Sequence, residues 1–137
     1  MRIKILKKLI ISRLEERKAI YYPIFVRALD ELNAALLLSH LIILTLKRHE
    51  DCWIERTTDE FLRETGLTRA EQETARRRLR ACNILKEKKI NKFSIIYFKL
   101  DLKKVFKMLK EYMEEEKVID LKKEKTRQKN STSKSIF

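Results

Sequence analysis

The stretch Gly66–Leu85, GLTRAEQETARRRLRACNIL, concentrates the side chains of this chain best suited to binding chemistry. Five arginines, Arg69, Arg76, Arg77, Arg78 and Arg80, are punctuated by Ala70, Glu73 and Thr74. A guanidinium is a permanently charged planar fork that grips phosphate oxygens or the O6/N7 edge of guanine with paired hydrogen bonds. On a helix, which turns about 100° per residue, Ala75, Leu79 and Cys82 form one side with Thr68 above them. Arg69, Ala70, Glu73, Arg77 and Arg80 then form the other, with Thr74, Arg76 and Ala81 at the edges. Arg69, Ala70, Glu73, Thr74 and Arg77 are candidate base contacts: arginine for guanine, Ala70 for a thymine methyl, Glu73 for a cytosine amine. Glu73 could instead pair with Arg69 or Arg77 one turn away. Thr68, Arg76, Arg78 and Arg80, with Lys88, Lys89 and Lys92 further on, are candidate phosphate contacts. The plainer alternative is a solvated helix whose arginines pair with Glu71 and Glu73, followed by a charged hairpin tip that discourages strand-edge pairing.

Other chemistry is absent from the pattern. His40 and His49 are isolated, and His40, inside an apolar run, is expected as a hydrogen-bonded core residue. Cys52 and Cys82 lack metal-site spacing, and Cys82 is expected in the core. One glycine cannot build a phosphate-binding loop, and no spacing pairs a nucleophile with a base. The expectation is a protein without enzyme activity, cofactor or metal. Most of the aromatic residues Tyr21, Tyr22, Phe25, Phe61, Phe93, Tyr97, Phe98 and Phe106 lie at core spacing, so packing outweighs base stacking, and Trp53 is expected as a core anchor.

The surrounding elements must hold the arginine helix in place. Thr57…Glu60 and Thr68…Glu71 both carry the capping-box pattern, in which Thr and Glu satisfy two amides the first helical turn leaves unpaired. Gly66 between them suits a left-handed helix end, and Asn83 suits another. Helices are therefore expected at 59–65 and 69–82, joined by a short glycine-containing turn. Strand-like Ile84–Glu87 and Phe93–Phe98 follow, linked by the basic connector 88–92 with Asn91 at the turn. Upstream, Cys52-Trp53-Ile54 is a short strand candidate. The apolar run from Ala34 to Leu46 covers nearly a whole helical circumference, so helix 31–48, capped by Asp30, is the expected central post. Helices are also expected at 3–19, at 24–29 after the Tyr21-Tyr22-Pro23 interruption, and at 102–116 with Asp101 as cap.

The fold class expected is mainly α with a small β-hairpin: a winged helix-turn-helix with added N- and C-terminal helices. Residues 1–121 form one domain, with its core at about 30–101, and 122–137 form a basic mobile tail. The 137 residues carry 33 Lys+Arg against 20 Asp+Glu, a net charge of +13 that favours a polyanionic partner. Lys4, Lys7 and Lys8 spoil a signal peptide, and no apolar stretch is long enough to span a membrane. A cytoplasmic or nucleoid-associated protein with no membrane partner is expected. The apolar stripes of 3–19 and 102–116 need cover, which suggests a homodimer through either or both.

The order ALLLSHLIIL, CWIERTTDEFLRETGLTRAEQETARRRLRACNIL, IIYFKLD resembles winged-helix proteins of phages, plasmids and related mobile elements. The resemblance runs from about Ala34 to Asp101. It departs where such proteins often have Gly before the Ile-Leu pair, here Asn83, and in a short wing lacking Gly. It implies a double-stranded DNA-binding module, acting in replication initiation or transcription regulation. A winged-helix module that binds an acidic protein is the alternative.

Overall fold

The computed structural model describes residues 2–15, 18–48, 53–89 and 95–135, with side chains as far as position 129. Six helices and one three-stranded antiparallel sheet make up this part. In order they are α1 (Ile3–Glu15), α2 (Pro23–Leu29), α3 (Leu32–Leu46), β1 (Ile54–Thr57), α4 (Thr58–Thr65), α5 (Arg69–Ala81), β2 (Leu85–Lys89), β3 (Ile95–Leu100) and α6 (Leu102–Ser135).

α3 is the central post its composition calls for. Ala34, Ala35, Leu37, Leu38 and Leu41 are fully buried along it. Its buried Ser39 hydroxyl donates to the Ala35 carbonyl at 2.7 Å and accepts the Tyr22 amide at 3.1 Å, so this polar side chain is satisfied within the core. α2 begins at Pro23, whose missing N–H costs nothing in a first helical turn. It ends at Asp30, which adopts a left-handed φ of 54°. This corrects the expectation that Asp30 caps α3. Only Asp30 and Glu31 separate the two helices, and a short polar side chain tolerates the left-handed conformation; the cap position of α3 falls to Glu31, which makes no side-chain cap bond.

The sheet exceeds the expected hairpin because β1 joins it. β3 is central, with β1 and β2 antiparallel on either side. Ile54 faces Phe98 across one pair; Leu85 faces Leu100 and Lys86 faces Lys99 across the other. Ile96, Phe98 and Leu100 alternate inward, and Phe98 meets Phe61 of α4 edge-to-face at 5.1 Å. β1 starts at Ile54; Cys52 and His49 lie outside the described residues.

The ends depart most from expectation. α1 closes at Glu15 rather than at 19, and residues 18–20 are not helical. None of its side chains is buried. α6 does not stop at 116 before a mobile tail: one helix of 34 residues runs to Ser135. Lys, Glu, Arg and Gln are good helix formers, and neither Gly nor Pro interrupts them. Val105 is buried against the core, Met108 and Leu109 pack at its edge, and Arg27 of α2 meets Glu116 at 2.7 Å. From Lys117 to Lys129 every side chain is exposed.

Candidate nucleic-acid interface

α4 and α5 are set by local chemistry at their starts. Thr57 Oγ1 accepts the Glu60 amide at 3.1 Å while Glu60 accepts the Thr57 amide at 3.2 Å. Thr68 and Glu71 repeat the exchange at 3.3 and 3.0 Å. The backbone amide of Thr68, then its side chain, hold the Glu71 carboxyl below its ordinary value, with a further contribution from Asn33. Gly66 ends α4 at φ +78°, a conformation L side chains rarely adopt, and its amide donates to the Leu62 carbonyl at 2.8 Å. Asn83 closes α5 at φ 58°.

Sequence reasoning overlooked Gln72. Fully buried, it donates through Nε2 to the carbonyls of Thr58 and Leu67, both at 2.9 Å, bracing the start of α4 and the turn against α5. Its place on the side shared with Ala75 and Leu79 was the available signal.

The outward side of α5 carries Arg69, Ala70, Glu73, Thr74 and Arg77, all exposed. Thr74 bonds back to the Ala70 carbonyl at 3.1 Å. Arg69, Glu73 and Arg77 make no side-chain hydrogen bond or ion pair among the described residues, so Glu73 neutralises neither arginine. Thr68 is exposed beside them at the helix start.

Three of the expected phosphate contacts are engaged internally. Arg76 is only 4% exposed, its Nε 3.8 Å from Glu87 Oε1. Burial pushes its pKa below the usual arginine value, and Glu87 pulls it back. Neither its Nε nor its Nη1 has a hydrogen-bond partner in the described structure. This corrects its assignment to phosphate. The inward alternation of β2 brings Glu87 under the helix, and the long arginine side chain bends in to meet it. Arg80 also bonds Glu87 through Nη1. Arg78, though on the surface, donates from Nε to the Leu29 carbonyl at 2.8 Å, tying α5 to the end of α2. Cys82, expected in the core, is exposed.

Lys88 and Lys89 stand exposed on β2. The Lys88 ammonium sits 4.3 Å from the centroid of the Trp53 ring, which is half-buried rather than a core anchor. The edge of the domain leaves that ring face open, and the cation occupies it. Lys92 and Asn91 lie outside the described residues. His40 is structural: its Nε2 is 2.6 Å from Glu64 Oε2, and Arg56 meets the same carboxylate at 3.2 Å.

Among the described residues no group of three or more His, Cys, Asp or Glu could hold a metal ion. No helix there is long and apolar enough to cross a membrane. Compared with family models, curated proteins and solved structures, the chain matches none.

Proposed function

We propose that this chain is a winged-helix protein that binds double-stranded DNA without catalysing a reaction, entering the major groove with α5. The element order α3-β1-α4-α5-β2-β3 and the strand order β1-β3-β2 fit that fold. The observation that carries the reading is the open side of α5. Arg69 and Arg77 are exposed there and make no ion pair among the described residues; Glu73 lies between them along the helix with Ala70 and Thr74 beside it, and small side chains let a helix approach base edges closely. The net charge of +13 supplies the attraction to phosphate. Lys88 and Lys89 extend the basic surface onto the sheet. The resemblance described above adds the setting: replication initiation or transcription regulation of a mobile element.

Selection of bound duplexes from a random pool tests this. The expected result is an enriched site, steep loss of affinity with salt, and relaxed base preference in Arg69→Ala and Arg77→Ala. Weak binding that ignores sequence at physiological salt would overturn it in favour of an acidic protein on the same basic side.

A further inference from the structure

Two helical surfaces of this chain lie uncovered, and their charges are opposite. The first is α1. Ile3, Leu6, Ile10 and Leu14, at 46–69% exposure, form one stripe along it. Residues 2–15 carry five cations and one carboxylate. An isolated helix of 13 residues is marginal in water, and a contiguous apolar patch of this kind marks a contact surface. The second is the middle of α6. Residues 111–120, EYMEEEKVID, carry five carboxylates and one lysine. Val118 and Ile119 are exposed on the side shared with Glu111, Glu114 and Glu115. Those three carboxylates make no ion pair among the described residues.

We infer that a second copy of this chain covers both surfaces, with α1 of each protomer lying along residues 111–121 of its partner's α6. The apolar side of α1 meets Val118 and Ile119, and its cations, Lys7 and Arg13 among them, meet the carboxylates. A two-fold exchange satisfies both surfaces twice in one step. An anionic lipid surface would cover α1 but would repel the α6 carboxylates and leave their apolar patch in water. The dimer is independent of the DNA reading, and its test contains no nucleic acid.

Sedimentation of the full chain at micromolar concentration should give a dimer that Ile10→Asp converts to monomer. Lys7→Glu/Arg13→Glu and Glu111→Lys/Glu115→Lys should each be monomeric alone, with unchanged helical circular dichroism. Mixed, these two variants should form a one-to-one heterodimer, because each then offers the helix its partner needs. A monomeric parent chain overturns the inference. So does a dimer indifferent to these changes, or a mixture that stays monomeric, as α1 folded on its own α6 would produce. A chain that is monomeric yet held by vesicles of anionic phospholipid would make lipid the occupant instead.

Discussion

Arg76 and Arg77 are neighbours in the chain, yet one is buried beside a carboxylate and the other stands in open solvent. The two sides of α5 use the same side chain for opposite ends. Arg76 from the buried side, and Arg78 and Arg80 from its exposed flanks, reach Glu87 and the Leu29 carbonyl, fastening the helix to β2 and α2. Outward, Arg69 and Arg77 have nothing to fasten. A run of arginines is therefore no measure of a binding surface; what counts is which of them the fold has left without a partner. The engaged ones orient the helix, and the others are left facing solvent.

The comparison breaks most sharply at Glu87. Removing one partner of a buried ion pair costs about 3–5 kcal/mol. Glu87→Ala should lower folding stability on that scale, read by urea unfolding. Arg76→Met should cost far less, because Arg80 still holds Glu87 and the guanidinium it removes has unmet donors. If Glu87→Ala unfolds no earlier than the parent, the inner side is not held this way.

Arg77→Ala sharpens the contrast. Affinity for a selected duplex should fall by about 1–3 kcal/mol, while the unfolding free energy stays within about 0.5 kcal/mol. A loss of stability equal to the loss of binding would erase the distinction between the two sides.

Thr68→Ala acts at the common root of both sides and should cost about 1 kcal/mol of stability through the lost cap. It should also change the acid response. The Glu71 carboxyl is held low in the folded chain, chiefly by the Thr68 amide. Its contribution is complete above the ordinary carboxylate range and is lost as pH falls through the lowered folded value. Unfolding midpoints followed into acid should show that loss, and a shallower one in the variant.

The smallest effect is expected at Lys89. Lys89→Ala should weaken all duplexes alike and reduce the salt slope by about one. A change in base preference would move this lysine into the reading set.

The site was legible wherever chemistry is local. Both capping boxes, Gly66 and Asn83 stand where Thr, Glu, Gly and Asn spacing puts them, because each satisfies or relaxes backbone within a few residues. The exposed side of α5 followed from helical rotation. Arg76 did not, because its burial depends on Glu87, which only the pairing of β2 with β3 brings beneath the helix. Arg78 likewise answers to a carbonyl 49 residues away. Cys82 was misplaced because α5 ends at Ala81, so the rotation no longer applies one residue on. The length of α6 was hidden for a different reason: beyond 116 it lacks an apolar period, and helical propensity is the signal that remains. Asp30 serves the end of one helix rather than the start of the next, a choice set by its left-handed backbone, which the two-residue connection to α3 leaves no spacing signal for.

Lys86 and Lys99 face each other directly across β2 and β3. Like charges so placed push the strands apart, and dissolved ions mute that push. In brine this joint should grow firmer, and amide exchange along the two strands should slow rather than quicken.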